Sequence, residues 1–183
     1  MTNLFVLDPP GNAIWIYGAD EKMEFSGPPS LFFSGNLVPT RLDASLDIAV
    51  AGTDLYLLFN DGHVTHCTPG VEELIPIRCN DPETLVDTRP GHQSGPILTD
   101  ALLTQMTFTS PPDPSLYMLE PLTASIYRFS PRPDALNMQS QFRAAVGQAK
   151  SIFTSPVSAM AISPNRYIFL SVGNQIYYAS DVP

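Results

Sequence analysis

The chain carries an internal repeat, and two separate segments show it at the same offset of 112 residues. Residues 4–17 (LFVLDPPGNAIWIY) align without a gap on residues 116–129 (LYMLEPLTASIYRF). Residues 48–64 align without a gap on residues 160–176 at the same offset. Two matches that share one offset are far harder to obtain by chance than either match alone. A repeat of this kind indicates an architecture assembled from stacked supersecondary units.

Each repeat unit contains two related hairpins. Their first strands begin near Leu4, Leu55, Leu116 and Tyr167, and each is a short apolar run followed by a turn and a second run. Aromatic and branched residues dominate these runs, as is typical of β-strands. The turn at 60–62 reads Asn-Asp-Gly, which favours a tight hairpin connection. The sequence therefore predicts an all-β protein.

The hairpins are flanked by further strand-like segments. Short runs of small apolar residues precede three of them, at 47–52, 104–109 and 159–163. An inner strand, a hairpin and a more variable outer strand follow one another in a β-propeller blade. The candidate outer strands are 23–27 or 31–35, then 73–79, then 136–144, the last of which also has a weaker helical period.

We therefore expect one domain, residues 1–183, with a β-propeller fold of three to four blades. The expected blades lie at about 1–40, 41–80, 102–145 and 155–183, with an insertion loop at 80–101. The first blade lacks an inner strand and the last lacks an outer one. The expectation is a minimal four-bladed ring, part of a larger ring with a missing N-terminal half, or a homo-oligomer that completes it. A β-sandwich of repeated hairpins is the alternative.

Charge and hydropathy restrict the partners. The net charge is −9, and Lys22 and Lys150 are the only lysines, so we expect no nucleic acid partner. No apolar run approaches 18 residues, the length that a membrane span requires, and the first residues do not resemble a signal peptide. Polarity comes mainly from Ser, Thr, Asn and Gln, a composition common in exported proteins. An extracytoplasmic or secreted location is the expectation.

Few residues have a pattern that suggests chemistry. Cys67 and Cys79 are a disulfide candidate if the protein is exported, and two free thiols if it is cytosolic. A zinc site built from these cysteines with His63 and His66 is not expected, because strand geometry separates the ligands.

Two further pairs are weaker candidates for function. Asp43 and Asp47 enter an inner strand, where a propeller could hold calcium, but we expect no cofactor. Arg89 and His92 are binding-loop candidates within the insertion. No catalytic residue is predicted, because no nucleophile elbow, zinc-protease, phosphate-loop or dinucleotide motif occurs.

The segments LFVLDPPGNAIWIY, LYMLEPLTASIYRF and AMAISPNRYIFLSVGNQIYYA resemble the repeats of bacterial NHL- and YVTN-like β-propellers. They are particularly similar to propeller-like C-terminal domains that accompany protein-phosphatase or kinase-like modules. The resemblance implies a propeller fold and a role in binding or sensing, and it brings no catalytic residue with it.

The function that we expect is a non-enzymatic scaffold or binding module for a protein, peptide or glycan partner. A metal-dependent propeller hydrolase of lactonase type is the alternative. A structural subunit of an extracellular assembly is the third hypothesis, because exposed sheet edges pair readily with another chain.

Overall fold

The computed structural model describes residues 2–33, 41–68, 77–92, 95–109, 114–143, 153 and 155–180. Within these ranges the chain forms four separate β-sheets and one short 3-10 helix. The prediction of an all-β protein is therefore confirmed. No helix in the described ranges is long and apolar enough to cross a membrane.

Sheet 1 is a three-stranded antiparallel sheet. Its strands in spatial order are β1 (Asn3–Asp8), β2 (Ala13–Gly18) and β3 (Ser30–Leu31). The β1–β2 turn closes with a hydrogen bond from the Asn12 N–H to the Pro9 carbonyl, and Asn12 adopts a positive φ of 49°, which asparagine tolerates well. The third strand lies at the second of the two predicted positions, and 23–27 is not a strand.

Sheet 2 has four antiparallel strands. A 3-10 helix (Leu42–Ala44) leads into β4 (Ser45–Ala51), β5 (Asp54–Phe59), β6 (Val64–Thr68) and β7 (Arg78–Asn80), in that order. Gly62 in the β5–β6 turn has φ 89°, and a Cβ there would lie 2.2 Å from the carbonyl oxygen of Ala101. Only glycine fits this close approach without strain. Of the predicted outer strand 73–79, residues 73–76 lie outside the described residues.

Sheet 3 has five strands. In chain order they are β8 (Leu85–Val86), β9 (Gln105–Phe108), β10 (Leu116–Glu120), β11 (Ser125–Arg132) and β12 (Ala135–Arg143). The spatial order is β8-β12-β11-β10-β9, with β8 parallel to β12 and the other pairs antiparallel. The strand interpretation of 136–143 is therefore correct. The 80–101 segment, expected to be an insertion loop, contributes the edge strand β8 to this sheet.

Sheet 4 has three antiparallel strands among the described residues. They are β13 (Ala159–Ile162), β14 (Tyr167–Val172) and β15 (Gln175–Ser180), in that order. Every residue of its third strand, β15, is exposed to solvent.

The four sheets pack face to face in chain order, and each interface has its own apolar core. Ile14 of sheet 1 packs with Leu55 and Leu57 of sheet 2. The opposite face of sheet 2 packs on sheet 3 through Tyr56 and Leu58, alongside side chains that include Leu116, Met118 and Phe129. Tyr117, Leu119 and Ile126 on the far side of sheet 3 pack with Ile168 and Leu170 of sheet 4. Successive sheets therefore stack as blades and do not form two opposed layers.

The inner strands of sheets 2, 3 and 4 lie side by side, and they are β4, β9 and β13. Strand β9 contacts β4 on one side and β13 on the other. Two side chains join neighbouring inner strands. Asp47 of β4 accepts a hydrogen bond of 2.8 Å from the backbone N–H of Met106 in β9. Gln105 of β9 accepts one of 2.8 Å from the backbone N–H of Met160 in β13. The inner strands thus form the narrow side of the stack.

Candidate functional site

Two histidines, one directly before β6 and one within it, contact acidic side chains that follow β7. His63 lies between Asp61 and Asp81, with its Nε2 3.2 Å from an Asp81 carboxylate oxygen. His66 places Nδ1 3.1 Å from Glu83 Oε2. These contacts join the middle of sheet 2 to the segment that leads into sheet 3.

His66 is enclosed on its remaining sides. Its Nε2 lies 3.5 Å from a carboxylate oxygen of Asp54, and its ring stacks on Tyr56 with the centroids 4.3 Å apart. Burial lowers the pKa of His66, but the hydrogen bond and charge of Glu83, together with Asp54, outweigh burial and raise it overall. Burial alone would raise the pKa of Glu83, yet hydrogen bonds from His66, Asn80 and the Thr84 N–H lower it. The cluster therefore favours an ionised pair that ties two segments together.

The predicted binding-loop residues Arg89 and His92 converge on Asp87. The Asp87 carboxylate is buried, lies 2.7 Å from Arg89 Nη2 and 3.0 Å from His92 Nδ1. The hydrogen bonds from Arg89 hold the pKa of Asp87 at about 2, against the opposing effect of burial. The side chains of Arg89 and His92 are therefore held against Asp87 of their own loop.

The weak calcium candidates Asp43 and Asp47 occupy different elements. Asp43 lies in the 3-10 helix, whereas Asp47 lies in β4 and accepts hydrogen bonds from the backbone N–H groups of Ile48 and Met106. Burial raises the pKa of Asp47 despite these two bonds. Among the residues that the structure describes, no three His, Cys, Asp or Glu side chains are grouped to hold a metal.

Cys67 and Cys79 form a disulfide, with their Cα atoms 4.1 Å apart. They are directly opposite each other in the β6–β7 pair, so the bridge fastens the outer strand of sheet 2 to its neighbour. Cys67 is fully buried against sheet 1. The bridge therefore belongs to the framework of the sheet.

A concave surface lies between sheets 3 and 4. This groove has a volume of about 500 Å³, and its lining is mainly apolar. Its walls include Phe142 from β12, Leu170 from β14 and Tyr177 from β15, together with Phe153, whose ring lies 4.7 Å from that of Tyr177. Gln141 and Arg143 supply polar groups at the β12 side.

The groove runs beside the outer edge of β15, since β15 residues form part of its lining. In sheets 1, 2 and 3 the strand that corresponds to β15 also pairs with an outer strand. These pairs are β2 with β3, β6 with β7, and β11 with β12. In sheet 4 the equivalent strand, β15, pairs only with β14 within the described ranges. An exposed edge presents backbone donors and acceptors that can pair with another strand.

Sequence reasoning missed this groove. Tyr177 and Phe142 belong to strands that were predicted, but the groove forms only where sheets 3 and 4 come together. The alternating pattern of 136–143 was the one available signal, since it places Phe142 on an inward face.

No protein-family model matches the chain, and no curated protein sequence matches it. The crystal structure of a putative 6-phosphogluconolactonase from Bacteroides uniformis is similar, with 13% sequence identity and a TM-score of 0.55. The match covers 99% of this chain and 51% of that one. YCF48 bound to D1 peptide matches at 15% identity and a TM-score of 0.38, over 93% of this chain and 61% of that one.

The fold is of the β-propeller type. The chain spans about half the length of its lactonase neighbour. At this level of identity the likeness concerns the path of the backbone alone. The predicted all-β propeller class is confirmed, and the particular NHL- and YVTN-like repeat families remain a resemblance.

Proposed function

We propose that this protein is a binding module that takes up an extended segment of a partner protein in the groove between sheets 3 and 4. The observation that carries the proposal is the coincidence of this groove with the outer edge of β15, which pairs with no strand among the described residues. An extended peptide can add a strand to such an edge through backbone hydrogen bonds, while alternate side chains enter adjacent pockets.

The groove has the chemistry that this mode of recognition requires. Phe142, Leu170 and Tyr177 supply an apolar surface, and aromatic side chains are frequent energetic centres of protein interfaces. Gln141 and Arg143 can bond to polar groups of the segment at one side. The favoured segment is therefore extended and largely apolar, and any acidic residue in it would lie near Arg143.

A library of ten-residue peptides displayed on phage is a suitable probe. We expect selected peptides to bind the wild-type chain and to bind Tyr177→Ala roughly 5- to 30-fold more weakly, the loss typical of an interface centre of 1–2 kcal/mol. Leu122→Ala is the control, since Leu122 is exposed in the β10–β11 turn and lies outside the groove.

Hydrogen exchange on the same complex tests strand addition directly. Bound peptide should slow exchange at the backbone amides of β15 and leave those of β1 unchanged. Selected peptides that bind Tyr177→Ala as tightly as the wild type, or that protect no amide of β15, would exclude this site.

The second candidate is hydrolysis of a sugar lactone by a metal-dependent mechanism, and the likeness to the putative 6-phosphogluconolactonase favours it. Its test is the release of acid from 6-phosphogluconolactone with calcium and with a chelator. A rate equal to the uncatalysed one in both conditions would remove this candidate.

We also propose an extracytoplasmic location, which the Cys67–Cys79 disulfide supports. Stable structural disulfides persist mainly in oxidising compartments. Alkylation of protein taken directly from its cells should leave both cysteines unmodified, and rapid labelling of both would contradict this location.

A further inference from the structure

The strand pairing shows which residues of sheets 2 and 4 occupy the same place in a blade. In sheet 2, Tyr56 pairs with Ala49 on one side and His66 on the other. In sheet 4, Phe169 pairs with Ala161 and Tyr178 in the same way. The residues at these equivalent positions must therefore lie on equivalent faces of the two sheets.

The equivalent faces differ greatly in exposure. Tyr178 and Ile176 of sheet 4 are 74% and 75% exposed. Their counterparts in sheet 2, His66 and Val64, are 8% and 1% exposed. Val64 packs in the core shared with sheet 3, and His66 is enclosed by Tyr56 and Glu83. Sheet 4 thus presents to solvent the face on which a blade normally packs against the following blade. We call this surface, formed by Tyr167, Phe169, Ile176 and Tyr178, the forward face.

Sheet 1 presents the complementary surface at the other end of the stack. Leu4 is 45% exposed, although its counterpart Leu116 in sheet 3 is fully buried against sheet 2. Val6 is likewise exposed, and its counterpart Met118 is buried. Sheet 1 therefore exposes the face that, in the other sheets, is covered by the preceding sheet. We call this surface, formed by Leu4, Val6, Trp15 and Tyr17, the backward face.

Both faces have the composition of a contact surface. The three strands of sheet 4 contain no charged residue, although the chain as a whole has a net charge of −9. Depletion of charge with enrichment of aromatic residues distinguishes the centres of protein interfaces from the remaining surface. An exposed apolar patch of this kind marks an interaction site.

We propose that the forward face of one chain packs on the backward face of a second copy, and that the reciprocal contact closes a two-chain ring of eight sheets. The two faces are the two sides of one type of contact, the blade-to-blade packing seen three times within the chain. A head-to-tail contact gives a closed ring when the rotation between copies allows it. The four sheets match about half of a single-chain neighbour, as half a ring would.

The groove walls Leu170 and Tyr177 lie on the opposite side of sheet 4 from Phe169 and Ile176, because successive residues of a strand face opposite sides, and Tyr178 borders both surfaces. The oligomeric state of the chain without peptide therefore tests the proposed dimer by itself. Light scattering after size exclusion should give twice the 20.0 kDa mass of one chain. Selected peptide should add only its own mass and leave the number of chains at two.

Single substitutions distinguish the head-to-tail contact from symmetric ones. Ile176→Glu on the forward face and Val6→Glu on the backward face should each halve the measured mass. Leu122→Glu, which places the same charge at an exposed leucine away from both faces, should leave it unchanged. Circular dichroism of each variant checks that the strands are retained.

Mixing the two variants provides a further test. The Ile176→Glu chain keeps an intact backward face, and the Val6→Glu chain keeps an intact forward face that can pack on it. The mixture should form a dimer with a single good contact, weaker than the wild-type dimer but stronger than either variant alone. A wild-type monomer at high concentration overturns the proposal. So does a dimer that survives either single substitution, because it would then use one face paired with itself.

Discussion

The carboxylate of Asp47 accepts a hydrogen bond of 2.8 Å from the backbone N–H of Met106, and so joins the inner strand of sheet 2 to that of sheet 3. Gln105 occupies the corresponding position one blade later and bonds to the N–H of Met160. In sheet 4 the residue at this position is Ala159, which has no side-chain acceptor. The link is therefore a repeated device for holding neighbouring blades in register.

Removal of the Asp47 carboxylate should destabilise the protein. Asp47→Ala leaves the N–H of Met106 without its acceptor, and a buried unsatisfied donor costs about 1–3 kcal/mol. Asp47→Asn keeps one acceptor oxygen and should cost less. Urea unfolding of both variants measures the difference. Equal stability of wild type and Asp47→Ala would show that the link contributes nothing.

The disulfide should contribute measurably to stability. It joins residues 12 apart in sequence, and a closed loop of that size is worth about 3 kcal/mol by chain entropy. A Cys67→Ala/Cys79→Ala variant should lose about this amount in urea unfolding. Reductant should lower the stability of the wild type and leave the double variant unaffected. If reductant left the free energy of unfolding of the wild type unchanged, the disulfide would not contribute as expected.

Most of the strands could be predicted because apolar runs, small inner segments and turn residues agreed with one another. The ungapped match of 4–17 to 116–129 is reproduced in the pairing, where Leu4 lies opposite Tyr17 and Leu116 lies opposite Phe129. The identity of these hairpins was therefore contained in local sequence.

The alignment of 48–64 with 160–176 is correct where it places β4 on β13 and β6 on β15, but it is wrong by one residue where it places β5 on β14. It aligned Leu55 with Tyr167, whereas the pairing places Ile168 at the position of Leu55. The turn before β14 is longer than its counterpart and shifts the strand by one residue. A one-residue shift exchanges the two faces of a strand, and the run YIFLS is apolar on both, so its pattern did not reveal the shift.

The partners of the histidines could not be predicted either. His66 binds Glu83, which is 17 residues away in sequence and beyond the next strand. Contacts of this separation depend on how β7 turns back, which the local pattern does not specify. The same holds for the groove between sheets 3 and 4, which arises from the packing of two sheets.

Asp87 should anchor the segment before β9. Its pKa is lowered to about 2, first by hydrogen bonds from Arg89, so its stabilising contribution is present above its ordinary value of 3.8. The contribution should be lost as the pH falls from 3.8 towards 2. Asp87→Asn should accelerate hydrogen exchange at Arg89 and at His92, whose N–H bonds the Arg89 carbonyl. Asp100→Asn, an exposed carboxylate nearby in sequence, is the control and should change neither amide.

The His66–Glu83 pair should give the protein a characteristic pH dependence. The pKa of His66 is raised from 6.5 on folding, so its contribution is complete below pH 6.5 and is lost as the pH rises through the folded value. The pKa of Glu83 is lowered from 4.5, so its contribution is complete above pH 4.5 and is lost as the pH falls through the folded value. Both contributions are therefore fully present between these two values.

His66→Phe tests this window, because phenylalanine retains a ring to stack on Tyr56 but cannot bind Glu83. The free energy of unfolding of wild type minus variant should be greatest between about pH 4.5 and pH 6.5 and should fall as the pH rises above 6.5. Other titrating groups are common to both proteins and cancel in this difference. A difference that is constant, or that grows as the pH rises above 6.5, would mean that His66 is neutral in the folded protein and that the ion pair does not join the two segments.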